Sequence, residues 1–338
     1  MKPGAARTAL RLAAALGLLL LAVRLVGARR LAEQLQQVDR SWLAAAVGAA
    51  ALAQWASVLR WERIARIFGL IVQRRALAIA YAQGMTLNVL LPGATLGGDA
   101  LRSLRLQALG NPLGESALTV LLDRLSGLWT LCVLSLLCAA ALAPALAGGP
   151  AAASAAVLAQ ALPGLVALLG TGGVLALYVA GLALACALPW LPLHPPALPA
   201  GAAAEGYGRR LWRRLGELHE LALAQRGPLL RTLWSSLLVQ GLSAATLWLC
   251  VLAAGGRVAF WQVQAVAAPV FIAGALPLSY GGFGARELMA LIAFPLAGVG
   301  AELGLAASVL YGVVAMILGL LVAPAFALRG RAAAPEGG

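Results

Sequence analysis

Two short stretches of the chain carry glycine, proline and arginine in the same order inside apolar sequence. The first is LPGATLGGDALR at residues 91–102, and the second is LPLSYGGFGARE at residues 276–287. Each begins with Leu-Pro and reaches a Gly-Gly pair, and after three intervening residues it reaches an arginine, Arg102 or Arg286. Glycines leave backbone N–H groups accessible, the N-terminus of a helix attracts anions, and arginine can bind phosphate through two hydrogen bonds. The pattern predicts a pair of anion-binding breaks, and coincidence in a chain with 39 glycines is the alternative.

Acidic residues accompany both arginines. Asp99 lies in the first stretch and Glu287 in the second, and an Asp123-Arg124 pair occurs inside a later apolar run. Charged groups within an apolar run are costly and usually face the interior of a bundle. We expect these groups to balance the charge of an anion or to relay protons. The alternative is that they form structural ion pairs that brace the two stretches.

The composition is that of a membrane protein. Of 338 residues, 62% are hydrophobic and 11% are charged, whereas a soluble domain is about half apolar and about one quarter charged. Several runs reach the roughly 20 apolar residues that a spanning helix needs. The net charge of +13 does not indicate nucleic-acid binding, because the basic residues gather at the ends of apolar runs, as cytoplasmic anchors do. We predict an all-α, multi-pass membrane protein.

The residues of common catalytic and metal sites are not arranged for such chemistry. The four cysteines lie inside apolar runs without a CxxC pattern, and neither His194 nor His219 belongs to an HExxH pattern. No nucleophile stands beside an evident base. The sequence therefore predicts a protein without cofactor or metal that is not an enzyme, which disfavours a lipid phosphatase or transferase.

The apolar runs predict six full spans and two interrupted stretches. The spans are expected near residues 9–26, 41–59, 115–142, 165–188, 229–253 and 303–328. The stretches 76–101 and 259–297 are interrupted by Pro and Gly, and irregular backbone at membrane depth must be buried or line a wet cavity. Arg102 and Arg105 stay on the cytoplasmic side only if the first stretch returns, so we predict two re-entrant hairpins. The alternative is that each stretch crosses once, which gives eight spans.

The basic residues predict that both termini are cytoplasmic. With six spans, 18 Lys and Arg residues fall on inside segments and five outside, as the positive-inside rule requires. The order span, span, hairpin, span then occurs twice, at 1–143 and 144–338. Three crossings per half invert the second repeat relative to the first, which is a transporter pattern. The second repeat includes a cytoplasmic linker helix near 205–226 and a short disordered tail.

The chain resembles the transmembrane region of lysylphosphatidylglycerol synthase/flippase proteins. The pieces NVLLPGATLGGDALR, LLDRLSGL and LPLSYGGFGARE carry the resemblance, which runs from about residue 10 to 327. It implies a bacterial inner-membrane protein that handles lipids with phosphate headgroups. The aminoacyl-transferase part of the synthases does not occur in these 338 residues, so lysyl transfer is not expected. The resemblance and the two motifs together give the candidate substrate-binding residues Asn88, Gly97, Gly98, Asp99, Arg102, Asp123, Arg124, Gly281, Gly282, Arg286 and Glu287.

These observations predict a lipid flippase or carrier. Two opposed hairpins would hold the headgroup of a phospholipid or polyprenyl-phosphate lipid near the middle of the bilayer and expose it to each face in turn. The alternative is a membrane protein without transport activity that is the partner of a glycosyltransferase or lipid-modifying enzyme. Such an enzyme, or a second copy of the chain, is the expected protein partner.

Overall fold

The protein is helical and has several spans. The computed structural model describes residues 36–90, 95–146, 223–276 and 283–326, together with residues 176, 179–184, 186, 213, 216, 217, 220 and 221. No strand occurs among these residues. Within this described part of the chain, four helical stretches are long and apolar enough to cross a membrane, namely Arg40–Ile67, Leu113–Ala141, Arg226–Ala253 and Ala301–Phe326. The prediction of an all-α, multi-pass membrane protein is confirmed, while the count of six spans and two hairpins stays a prediction.

The helices agree with most of the predicted runs. They are α1 (Arg40–Ile67), α2 (Arg74–Leu90), α3 (Thr95–Gln107), α4 (Leu113–Leu146), α5 (Arg226–Arg231), α6 (Leu233–Ala253), α7 (Phe260–Ala275), α8 (Ala285–Leu296) and α9 (Ala301–Leu321), followed by a 3-10 turn at Ala323–Phe326. Asp39 caps α1 by accepting a hydrogen bond from the Ser41 N–H at 2.8 Å. The hydrogen bond from the Ser41 hydroxyl lowers the pKa of Asp39.

The second predicted span was drawn too short. Helix α1 continues to Ile67, past the predicted end near residue 59, and it buries Arg60 and Glu62. The Glu62 carboxylate accepts hydrogen bonds from Arg66 at 2.6 Å and Arg74 at 2.8 Å. Because ion pairs compensate these charges inside the bundle, the helix does not need to stop where the apolar run stops.

Both interrupted stretches fold back on themselves. In the first, Gly98 of α3 lies against Gly84 and Asn88 of α2, and one turn later the Arg102 Cζ lies 4.4 Å from the centre of the Tyr81 ring. In the second, Gln262 at the start of α7 donates a hydrogen bond to the Ala297 carbonyl beyond the end of α8, at 2.9 Å. Helices α2 and α3 are therefore antiparallel, as are α7 and α8. This is the arrangement that a re-entrant hairpin requires.

The packing of one half of the chain is repeated in the other. Helix α4 packs against α7 of the second hairpin, and α9 packs against α2 of the first. The equivalent helices α1 and α6 pack along each other, with the Asp39 N–H bonded to the Ala253 carbonyl at one end and Arg60 to Ser236 at the other. They run in opposite directions, as an inverted repeat requires. The boundary between residues 143 and 144 stays a prediction, because 147–175 lie outside the described residues.

Hydroxyl groups tie the two halves together. The Ser135 hydroxyl of α4 donates to the Gln264 carbonyl of α7 at 2.8 Å and accepts from the Ala268 N–H at 3.1 Å, so it is inserted into the backbone ladder of α7. The Thr86 hydroxyl of α2 lies 3.0 Å from the Gly319 carbonyl of α9. In an apolar medium such interhelical hydrogen bonds are worth about 0.6–2 kcal/mol each.

Several predictions concern residues that the structure does not describe. They are the span near 9–26, most of the span near 165–188, and the tail. Of the linker helix near 205–226, the described residues 213, 216, 217, 220, 221, 223 and 224 are helical.

The two adjacent glycines of the first motif have unequal surroundings, and this gives a matched test of the hairpin. A Cβ on Gly98 would lie 2.7 Å from the Gly84 carbonyl oxygen, whereas Gly97 has no atom within 4 Å of its Cβ position. We expect Gly98→Ala to lower the stability by about 1–3 kcal/mol through overpacking, and Gly97→Ala to have little effect. Thermal unfolding of the two variants in detergent measures the difference. Equal melting temperatures would contradict the close α2–α3 contact.

Candidate functional site

A cavity of about 490 Å³ lies between the two hairpins and the long helices. It is lined near the middle of α1, α4, α6 and α9, by Asn88 and Arg102 of the first hairpin, and by Gly274 and Arg286 of the second. Its polar and charged lining residues are Gln54, Ser57, Arg60, Tyr81, Asn88, Arg102, Asp123, Arg124, Gln240, Ser243, Thr246, Arg286 and Tyr311. Five of the predicted site residues, four from the first half of the chain and one from the second, therefore line one space.

A single carboxylate joins three elements beside this cavity. Asp123 of α4 is 1% exposed and accepts hydrogen bonds from Arg60 Nε of α1 at 2.7 Å and from Arg102 Nη2 of α3 at 2.9 Å. Two guanidiniums offset the cost of burying this one carboxylate, and each can offer further hydrogen-bond donors to a ligand. Arg60 also lies 3.3 Å from the Ser236 hydroxyl of α6.

Two aromatic rings enclose the guanidinium of Arg102. Its Cζ lies 4.3 Å from the centre of the Trp61 ring and 4.4 Å from that of Tyr81, so the cation interacts with two aromatic faces. The Trp61 ring is itself fixed by a hydrogen bond from its indole N–H to the Thr119 hydroxyl at 3.2 Å. The Nε of Arg102 is buried and has no hydrogen-bond partner among the described residues. The enclosure fixes the orientation of a cation that still has an unused donor.

The Asp99–Arg124 ion pair lies at the more exposed edge of the site. Arg124 donates two parallel hydrogen bonds to the Asp99 carboxylate, at 2.9 Å and 2.8 Å. The Arg124 side chain is 46% exposed and that of Asp99 is 22% exposed. Because both side chains are accessible at this edge, an incoming anion could reach Arg124 and compete with Asp99 for it.

The arginine of the second motif has a carboxylate partner next to it in the chain. Arg286 Nη2 lies 2.7 Å from Glu287 Oε1, and the Ser308 hydroxyl donates to the same oxygen at 3.1 Å. The other oxygen of Glu287 accepts the Gly284 N–H at 2.6 Å, where a φ of 97° requires glycine. Glu287 thus caps α8 and neutralises Arg286, and its assignment as a substrate-binding residue stays a prediction.

The glycines of the first motif differ from the prediction. They lie in the first turn of α3 and not at the tip of the hairpin. Gly97 is exposed, whereas Gly98 is buried against α2. A Cβ on Gly98 would meet the Asn88 carboxamide. Gly98 therefore permits close helix packing and offers no open surface to an anion. Gly281 and Gly282, which were predicted to bind substrate, lie outside the described residues.

Sequence reasoning missed Arg60 and, apart from Asn88, the neutral polar residues of the lining. Arg60 follows an apolar run and precedes more arginines, and for this reason it was among the 18 basic residues counted on the inside segments, as Arg102 was. Both are buried and bound to Asp123. Glu62, two residues later, was the available signal, because an acidic residue among arginines indicates ion pairing as readily as it indicates a loop. Gln54 and Gln240 are single polar residues in two different spans. Nothing in the sequence shows that both line the same cavity.

The ion pairs brace the bundle, as the alternative interpretation held, and they also leave positive charge beside the cavity. Among the described residues around it, four guanidiniums meet the three carboxylates of Asp99, Asp123 and Glu287. The described part of the chain contains no group of three or more His, Cys, Asp or Glu residues that could hold a metal ion. The arrangement can bind an anion, and bracing and binding use the same arginines.

The importance of the shared carboxylate can be tested with two aspartates. We expect Asp123→Asn to lower the stability by about 3–5 kcal/mol, because it leaves Arg60 and Arg102 buried without a counter-ion. Asp99→Asn leaves Asp123 bound to both buried guanidiniums, so we expect it to lower the stability by less than Asp123→Asn does. Chemical or thermal unfolding in detergent measures both. If the two variants lose equal stability, Asp123 does not hold these helices together.

Comparison with known proteins agrees with the resemblance seen in the motifs. The family described as lysylphosphatidylglycerol synthase TM region matches residues 8–323, nearly the whole chain. Among curated proteins none matches the chain. The match includes helices α1 to α9 and every candidate site residue. This chain therefore belongs to the lysylphosphatidylglycerol synthase TM region family.

Proposed function

We propose that the protein is a flippase or carrier for lipids with phosphate-containing headgroups in the bacterial inner membrane, with both termini in the cytoplasm and no chemical step of its own. One observation carries the proposal: both hairpins contribute an arginine to one cavity beside the mid-length of the long helices. Membership in a family related to lipid handling supports it. Arginine is suited to phosphate because its planar fork matches two phosphate oxygens.

The exposed edge of the site provides a route for the headgroup. Arg124 is half exposed on α4, and the same helix presents exposed Leu121, Leu125 and Leu128, of which Leu128 also lines the cavity. In the proposed function the acyl chains stay in the bilayer along this leucine face while the headgroup enters beside Arg124. The phosphate replaces Asp99 on Arg124 and then approaches the unused Nε of Arg102.

The second hairpin provides the other side of the pathway. Arg286 lies between the ring of Phe283 at 5.1 Å and that of Tyr311 at 5.3 Å, and its charge is neutralised by Glu287. A headgroup that leaves the first arginine group would therefore meet a polar but uncharged surface. Weaker binding there favours release, which a carrier needs as much as capture.

The proposal is tested by translocation in proteoliposomes that contain a fluorescent anionic phospholipid. Arg124→Gln removes the exposed donor pair without removing a buried counter-ion, and we expect it to slow translocation about tenfold or more, since charge-assisted hydrogen bonds are worth about 1.5–3 kcal/mol. The matched control is Arg105→Gln, on the exposed side of α3 and away from the cavity lining, which should keep the parent rate.

The outcomes separate two failures. If the Arg124→Gln and Arg105→Gln variants translocate the lipid equally well, the anion site is wrong. If the parent protein binds the labelled lipid but translocates none, the carrier function is wrong and a role as a lipid-binding partner of a membrane enzyme is favoured.

A further inference from the structure

We propose that the second hairpin bends at a hinge in its two arms, formed by residues 264–269 of α7 and 291–295 of α8. The part beyond the hinge carries Arg286 and one wall of the cavity, while the base of the hairpin stays fixed in the bundle. The bend itself needs no particular ligand, and only its consequence for transport rests on the proposed function.

Two successive hydrogen bonds of the α7 ladder differ from those of a regular helix. The Ser135 hydroxyl of α4 accepts a hydrogen bond from the Ala268 N–H at 3.1 Å and donates one to the Gln264 carbonyl at 2.8 Å. Pro269 has no N–H and so cannot make the next bond of the ladder, to the Ala265 carbonyl. An inserted side chain and a proline are both causes of helix kinks, and in α7 they act on adjacent bonds.

The other arm of the hairpin is weakened at the same level. Pro295 lies inside α8 and cannot make the bond that a regular helix would form to the Leu291 carbonyl. Gln262 of α7 donates to the Ala297 carbonyl at 2.9 Å, and the arms are antiparallel. The altered bonds of both arms therefore lie within about two turns of that contact. The first hairpin differs, since neither α2 nor α3 contains a proline.

A buried amide at the hinge has no hydrogen bonds in the observed conformation. The Gln264 side chain is 2% exposed, and neither its Oε1 nor its Nε2 has a partner among the described residues. Buried polar groups are nearly always hydrogen-bonded, because an unpaired one costs free energy. This cost raises the free energy of the observed conformation relative to a bent one in which the carboxamide finds a partner.

The base of the hairpin is fixed to the bundle and to itself. The Gln262 carboxamide accepts the Ala259 N–H and donates to the Ala297 carbonyl, both at 2.9 Å. The Phe260 ring meets the Trp248 ring of α6 edge-on, with centroids 6.2 Å apart. These contacts lie before the altered bonds of α7 and after that of α8. They hold the base in place while the rest of the hairpin bends.

The part beyond the hinge is a unit that lines the cavity. Gly274 of α7 lies against the Arg286 side chain of α8, and Phe271 packs against Tyr311 of α9 with ring centroids 5.1 Å apart. The Nε of Arg286 also lies 3.2 Å from the Ser308 hydroxyl of α9. All of these residues except Ser308 line the cavity. A bend at the hinge therefore moves this wall relative to α4 and changes the width of the cavity.

The bend is measured as a distance across the hinge, in a parent protein whose four native cysteines are replaced by alanine. Spin labels at Trp261→Cys and Leu276→Cys, two exposed positions at opposite ends of α7, are about 22 Å apart in a straight helix at 1.5 Å per residue. Double electron–electron resonance in phosphatidylglycerol nanodiscs should give two distances or one broad distribution. Labels at Leu121→Cys and Leu137→Cys, in a stretch of α4 without proline, should give one narrow distribution.

A proline variant assigns the bend to the hinge. Pro269→Ala restores an N–H that can reach the Ala265 carbonyl, so we expect the α7 distribution to narrow to the width of the α4 pair. Since hinge motions set the rate of many proteins that open and close, translocation of fluorescent phosphatidylglycerol should fall severalfold. The matched control is Pro228→Ala, at an exposed position in the first turn of α5, where an N–H has no intrahelical partner. It should keep the parent width and rate.

A second variant tests the inserted hydroxyl. Ser135→Ala lets the Ala268 N–H pair directly with the Gln264 carbonyl, and we expect it to narrow the α7 distribution as well. The control is Ser116→Ala on the same helix, because the Ser116 hydroxyl is also buried but donates within α4, at 2.8 Å. This variant should keep the parent width.

The outcomes distinguish the hinge from the carrier function. A parent distribution as narrow as that of the α4 pair would overturn the hinge and leave the carrier function standing. Equal widths for the parent, Pro269→Ala and Ser135→Ala would overturn it too. A parent protein that bends across α7 but translocates no lipid would refute the carrier function and leave the hinge in place.

Discussion

The carboxylate of Asp123 is the constraint on which the arrangement of the first half depends. A charge in the interior of a membrane protein is costly unless it is paired, and Asp123 is paired twice, through Arg60 of α1 and Arg102 of α3. These contacts fix the first hairpin against two long helices at the depth of the cavity. Two cations on one anion also produce the excess positive charge, so the interaction that holds the helices together supplies the charge that the proposed anion binding requires.

The two halves share their packing and differ in their electrostatics. Arg102 depends on a carboxylate of α4, so the first hairpin cannot leave α4 without separating a buried ion pair. Arg286 carries its counter-ion on the neighbouring residue, and Glu287 is bonded to Ser308 of α9. The second hairpin can therefore move together with α9 without breaking an ion pair. If one hairpin moves during transport, the cost of separating charges favours the second.

The sequence predicted the positions of the breaks and the two motif arginines, because spacing and polarity within apolar runs are local signals. It also predicted helical structure for the long runs that the structure describes. It did not predict that Arg60 belongs to the site, because an arginine after an apolar run usually marks a loop. The contact between Gly98 and Asn88, like the cavity shared by Gln54 and Gln240, depends on how distant helices pack. Such contacts leave no trace in the spacing of either segment.

Glycines explain how a tightly packed bundle keeps so many arginine side chains in place. Arg60 lies against Gly127, Arg102 against Gly84, and Arg286 against Gly274 and Gly312, each glycine coming from a neighbouring helix. Small residues let helices approach closely in a membrane, and here the missing side chains leave the space that the guanidiniums fill. Each arginine is therefore held by packing as well as by charge. Fixed donors need little reordering when they bind an anion, and this lowers the entropic cost of binding.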